Sequence, residues 1–265
     1  MKFCKYHGTG NDFIMLDNRD RAIALTPDDI RRLCNRKYGI GADGLILLNP
    51  ATDFDFAMSF HNSDGSTDTF CGNGGRCIAA FARRLGIIGE KGSFLASDGA
   101  HHAEIVATPT PNKTLLRISM KDCTVPSRLS ADTFYVNTGA PHIVIISDDI
   151  TPLNVPLLGA QYSTNPRISG RANVNFVEKK SDVLRIRTFE RGVEDETLSC
   201  GTGITAAALT YAAYFADFAA PAAQSPVTVV SRGGTLNVYY TKTADFFHNI
   251  FLEGDVTFVF EGEID

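Results

Sequence analysis

The chain has 265 residues, of which 44% are hydrophobic and 21% charged, and it carries a formal charge of -5 at neutral pH. Such a composition supports a packed core and argues against disorder, and an acidic chain without a basic run argues against nucleic acid or an anionic membrane surface as partner. The length suits two domains of ordinary size.

The first residues, Met1-Lys2-Phe3-Cys4, give way to polar and glycine-rich sequence by His7, so they lack the apolar core of a secretory signal. A cytoplasmic location follows as the expectation. The six cysteines, Cys4, Cys34, Cys71, Cys77, Cys123 and Cys200, are then expected as reduced thiols without structural disulfides. No pair has CxxC spacing, so no metal site is expected. Residues 204–223 are apolar enough to test as a membrane span, but Asp217, Pro221 and the many alanines read as a buried helix of a water-soluble protein.

In chain order, residues 2–16 read as a strand, a turn at Gly8-Thr9-Gly10-Asn11-Asp12, and a second strand from Phe13. Residues 27–37 read as a helix, with Thr26 as N-cap, Pro27 in the first turn, and Ile30 and Leu33 on the apolar face. Strands are expected at 45–48 and 54–60, the latter running into the turn His61-Asn62-Ser63-Asp64-Gly65. A helix is expected over residues 202–219, behind Leu198-Ser199-Cys200-Gly201-Thr202-Gly203. The same construction, a cysteine followed by alternating glycine, stands at Cys71-Gly72-Asn73-Gly74-Gly75.

A shift of 129 residues superposes the two halves. It places Thr9-Gly10 on Thr138-Gly139, Ile14 on Ile143, Gly41 on Gly170, Phe60 on Phe189, and Cys71-Gly72 on Cys200-Gly201. Beyond the second helix the register slips by a few residues, pairing Asp98-Gly99 with Gly233-Gly234, as loop insertions allow. The expected fold is therefore α+β: two pseudo-symmetric domains from a tandem duplication, each a strand-rich sheet or barrel around a central helix. The halves are expected at residues 1–120 and 121–253, joined near 121–128, with 254–265 returning to complete the first. Further strands are expected at 115–120 and 250–252.

The first N-H groups of a helix have no intrahelical partner, and glycine lets a ligand approach them, so each Cys-Gly segment is an anion site with a thiol beside it. A helix N-terminus also favours thiolate and can lower a cysteine pKa from about 8.5 to between roughly 3.5 and 7.5. If the two helix starts share one cleft, a single carboxylate could accept from both loops while the sulfurs flank its α-carbon. One sulfur would remove a proton as the other delivers one to the opposite face, inverting the centre. Backbone donors that stabilise the enediolate-like charge could each contribute roughly 2.7 to 4 kcal/mol, by analogy with oxyanion holes. No cofactor is needed, and no cofactor motif is present. The partner this predicts is a small amino-acid substrate.

Taken together, His7-Gly8-Thr9-Gly10-Asn11-Asp12-Phe13, Asn62-Ser63-Asp64-Gly65, Cys71-Gly72-Asn73-Gly74, Arg171-Ala172-Asn173, Glu190-Arg191-Gly192 and Cys200-Gly201-Thr202-Gly203 resemble, in order, the motifs of the diaminopimelate epimerase family. The resemblance covers nearly the whole chain. It implies a cofactor-independent two-base racemase fold acting on LL- and meso-2,6-diaminopimelate, a substrate with two carboxylates, for lysine and peptidoglycan precursors. It implies that Cys71 and Cys200 are the acid/base thiols, assisted by His142 and Glu190 respectively. Gly72 with Asn73, and Gly201 with Thr202, would hold the carboxylate at the reacting centre. Asn11, Asn62, Asn173, Glu190 and Arg191 would hold the amino groups and the distal carboxylate. A homodimer is compatible with this reading. Two positions depart from the pattern: Ala140 stands where many members have asparagine, and Gly44 where some have glutamine.

A sister racemase of the proline racemase or hydroxyproline epimerase type is the nearest alternative, but those typically carry histidine at the place of Asn73 and lack Glu190-Arg191-Gly192. A thiol redox protein, which does not account for two matched glycine loops at helix starts, or a non-catalytic binding relative, which is expected to have lost one of the two cysteines, is the alternative of another class.

Overall fold

The computed structural model describes residues 1–67, 70–215 and 226–264. They fall into two compact units, Met1–Ile118 with Gly254–Asp265, and Ser119–Glu253.

In the first unit the elements are β1 (Lys2–Gly8), β2 (Asn11–Asp17), α1 (Pro27–Cys34), β3 (Gly44–Asn49), β4 (Phe56–Asn62), α2 (Gly72–Arg84), β5 (Lys91–Ala96), β6 (Gly99–Thr110) and β7 (Lys113–Ser119). The second contains β8 (Cys123–Thr124), β9 (Ser127–Arg128), β10 (Thr133–Asn137), β11 (Pro141–Ile146), α3 (Val155–Tyr162), β12 (Asn173–Lys180), β13 (Val183–Glu190) and β14 (Asp195–Thr197). It continues through α4 (Gly201–Tyr214), β15 (Val227–Ser231) and β16 (Gly234–Lys242), and a long β17 (Phe246–Glu263) runs from it into the first unit.

Strand pairing closes the first unit into a barrel. Each of β1 to β7 pairs with the next, β17 pairs antiparallel with β1 from Lys2↔Glu263 to Gly8↔Val256, and its Asp255 returns to Leu115 of β7. Closure leaves no free sheet edge. Two of these pairs, β2 with β3 and β4 with β5, are parallel. The second unit repeats the order, with parallel pairs β11 with β12 and β13 with β15, and it uses β8 against β17 and β9 against β10 where the chain enters. Residues 121–128, expected as a linker, thus carry two short strands.

Each barrel surrounds one helix. Residues Gly72–Ala82 of α2 and Gly201–Thr210 of α4 are buried throughout. A helix that is apolar or small on every side has no solvent face, which is why alanine and glycine dominate both. Residues 216–219 of the expected helix lie outside the described residues. Among the described residues no helix is long and apolar enough to cross a membrane.

Local chemistry moves several expected boundaries. The first hairpin turns on Thr9 and Gly10 alone, both at positive φ (51° and 84°), so β2 starts at Asn11 rather than Phe13. α1 has the Thr26 cap and a full capping box with Asp29, but it ends at Cys34. Asn35 is extended there, and its side chain accepts from the N-H groups of Lys37 and Tyr38, offering them a partner outside the helix.

Candidate active site

In each unit a cysteine stands at the N-cap position of the central helix, Cys71 for α2 and Cys200 for α4, both in extended backbone. The Gly74 N-H points at Cys71 Sγ, 3.5 Å away. Cys71 Sγ also donates to Asn11 Oδ1 at 3.7 Å, to which Asn73 Nδ2 donates at 3.2 Å. The Asn11 amide is oriented from behind: its Nδ2 donates to Asp43 Oδ2 at 2.9 Å, leaving Oδ1 to face the thiol. Asp43 is itself gripped by Arg36, which also binds Asp12, and Asp12 pairs with the buried Lys5.

Arg76 is fully buried beneath Asn73, and its Nη2 donates to Asn73 Oδ1 at 2.8 Å and to Thr9 Oγ1 at 3.4 Å. Burial lowers its pKa to about 10, a shift that the neighbouring Cys77, Cys71 and Asp255 oppose, so it is a cation at neutral pH. A fixed positive charge near Cys71 favours a thiolate. Burial instead pushes Cys34 and Cys123 up to about 11, and raises Cys77 further, so these thiols stay protonated.

In the second unit Cys200 Sγ lies 3.4 Å from Thr202 Oγ1, and Thr202 Oγ1 lies 2.9 Å from His142 Nε2. His142 is fully buried, and that burial, together with the charge of Arg191, lowers its pKa to about 3. It is therefore neutral in the physiological range, and it cannot be a surface residue of its glycine turn. Behind it lies Asn175, whose Nδ2 is 3.1 Å from His142 Nδ1. Asn173 Oδ1 accepts from the Arg191 N-H at 3.0 Å, Arg191 Nη1 donates to the Arg171 carbonyl, and Glu190 Oε1 accepts from the Thr197 hydroxyl at 2.6 Å. Asn62 stands in the first unit with its Nδ2 on Ser66 Oγ at 3.1 Å.

The structure thus groups Cys71, Gly72, Asn73 and Asn11 at one helix start, and Cys200, Gly201, Thr202 and His142 at the other. His142 is a neighbour of Thr202 in its own unit. Arg76, Asn175, Thr188 and Asp43 were not singled out in the sequence. Arg76 had a signal, as the one charged side chain in the first turns of an otherwise small-residue helix. Asn175 and Thr188 sit in strands where nothing but an unexpected polar residue marks them. At the two departures, Ala140 lies in a turn one residue longer than its counterpart, since Asn137 pairs with Pro141 whereas Gly8 pairs with Asn11. A side chain at Gly44 would start 2.7 Å from the His61 carbonyl and the Phe60 ring, so glutamine does not fit there as the backbone stands. Among the described residues no group of three His, Cys, Asp or Glu could hold a metal ion.

The profile of the family described as diaminopimelate epimerase matches residues 3–108 and 134–259. The chain belongs to the diaminopimelate epimerase family. It is 43% identical to the diaminopimelate epimerase of Flavobacterium psychrophilum over all of both chains, and 38% identical to that of Aquifex aeolicus over all of this chain and 98% of the relative. Among solved structures, a phenazine biosynthesis protein of the PhzF family from Bacillus anthracis has a TM-score of 0.72 at 15% identity, covering 100% of this chain and 99% of that one. A hydroxyproline epimerase from Agrobacterium vitis has 0.71 at 15%, covering 99% and 91%. At that identity the likeness is one of fold alone. The diaminopimelate epimerase family membership rests on the sequence match alone.

Proposed function

We propose that the chain interconverts LL- and meso-2,6-diaminopimelate, without a cofactor, through Cys71 and Cys200. The observation that carries the reading is the matched pair of helix starts with a cysteine at the N-cap position, in a chain whose full length aligns with proteins named for this reaction. One thiolate takes the α-proton, breaking C-H and forming S-H, and the electron pair passes into the substrate carboxylate. The opposite S-H returns a proton to the other face and becomes thiolate. The two transfers leave the enzyme with its thiol and thiolate exchanged, and proton exchange with solvent restores the starting form for the next turnover.

Backbone N-H groups at Gly72-Asn73 and Gly201-Thr202 stabilise the charge on the carboxylate. Asn11, Asn62, Asn173, Glu190 and Arg191 hold the amino groups and distal carboxylate, for which the fork of arginine suits both oxygens. His142 acts as a neutral hydrogen-bond donor and not as the base, and Glu190 assists on the Cys200 side. A two-thiol mechanism needs reduced cysteines, which suits a cytoplasmic setting.

Replacing Cys71 or Cys200 by alanine is expected to lower racemisation by about 10²-fold to 10⁴-fold or more, the usual contribution of an acid or base. Loss of the circular dichroism of LL-diaminopimelate, whose meso product is achiral, measures it, and either variant keeping full activity contradicts a two-thiol mechanism.

A further inference from the structure

Thr202 and Asn73 are equivalent positions of the repeat, and each is gripped from below by a buried donor. In the first unit that donor is the Arg76 guanidinium. In the second it is an imidazole, and its direction is fixed by a residue that no part of the proposed mechanism uses. Asn175 is fully buried. Its Nδ2 lies 3.0 Å from the Ile143 carbonyl, which can only accept, and its Oδ1 takes a hydrogen bond from the Thr188 hydroxyl at 3.0 Å. The amide therefore stands one way round, with N-H toward His142 Nδ1 at 3.1 Å. A ring nitrogen that accepts carries no proton, so in the neutral ring the proton is on Nε2, facing Thr202 Oγ1. With its oxygen accepting from the ring, the Thr202 hydroxyl has its own proton free to give to Cys200 Sγ at 3.4 Å.

We propose that Asn175 is a positioning residue: by donating to His142 Nδ1 it holds the imidazole as the Nε2-H tautomer, which turns the Thr202 hydroxyl proton toward Cys200 and the carboxylate bound at that helix start. Two further facts agree. The helix makes room for this pair, since an added Cβ at Gly203 would stand 2.4 Å from Asn175 Oδ1 and 3.3 Å from His142 Cε1. In the other half the equivalent positions are the apolar Ile46 and Phe13, so the polar chain is particular to the Cys200 side. The effect on catalysis rests on the two-thiol reading, whereas the tautomer does not.

The test is a two-bond proton–nitrogen correlation spectrum of histidine-labelled protein, with His142 assigned from its loss in His142→Gln. The expected pattern is neutral Nε2-H from about pH 5.5 to 8.5, a range in which an ordinary histidine titrates. Asn175→Asp, which can only accept, should convert it to Nδ1-H or to the doubly protonated ring. The same variant should lower kcat about tenfold with KM within about twofold, because the lost donor acts on charge present only in the transition state. Thr202→Val should lower kcat in the unmodified protein and add little in Asn175→Asp. If Asn175→Asp fails to fold, Thr188→Val releases only the amide oxygen and should mix the two tautomers. An Nδ1-H or charged ring in the unmodified protein, additive effects of the two substitutions, or an unchanged kcat in a variant whose ring has turned would overturn the proposal. Unmodified protein inactive on diaminopimelate would contradict the function, and the spectrum would still decide the tautomer.

Discussion

Gly203 shows how far a single residue can be read in two ways. From the sequence it is a gap through which a ligand reaches the helix, and in the structure the gap is taken by Asn175 and the His142 ring. Alanine in a helix ordinarily gains about 0.5 to 1 kcal/mol over glycine. At position 203 the sign should reverse, because a Cβ 2.4 Å from Asn175 Oδ1 forces that amide to move. Gly203→Ala is expected to cost about 1 to 3 kcal/mol in urea unfolding and to reduce turnover. A more stable variant of unchanged kcat would show that the amide is not held there. The cysteines and loop glycines were legible because helix starts and positive φ leave few alternatives. Asn175 was not, since a buried polar side chain in a strand announces its partner only once the strands are registered.

Among the elements, the hairpin of β1 and β2 and the loop before β3 are joined by Lys5, Asp12, Arg36 and Asp43, which hold Asn11 behind Cys71. Burial acts to raise Asp12, but hydrogen bonds from Arg36 and Lys5, and their charges, outweigh it and hold the carboxyl well below the usual range. A group depressed in this way contributes its full stability above its unfolded pKa, about 3.9 for aspartate, and loses it only as pH falls through the lower folded value. Asp12→Asn, which strands the buried Lys5, should therefore cost about 2 kcal/mol, and the same amount at pH 5 as at pH 7. Urea unfolding at both values measures this, and a difference that has vanished by pH 5 contradicts the assignment. The hairpin and capped helix were legible from turn chemistry. The cluster was not, because its four charges come from three separate stretches of sequence.

The whole chain is a duplication, and the structure repeats it beyond the motifs. The parallel pairs recur in order, Gly10 and Gly139 are both at positive φ, and so are Gly41 and Gly170, and Gly99 and Gly234. The offset of 129 was readable because such positions tolerate few residues. β8, β9 and the full length of β17 were not, since their pairing partners lie far away in sequence. The symmetry breaks beneath the two thiols, where one half has a buried cation and the other a neutral imidazole chain. The proposed reaction requires these two unlike half-sites to serve one carbon. It is tested most directly by incubating the reduced protein, free of pyridoxal phosphate, with diaminopimelate, proline or glutamate in deuterium oxide. Mass spectrometry should find deuterium at the α-carbon of diaminopimelate alone, and no exchange, or exchange into proline instead, would contradict the account.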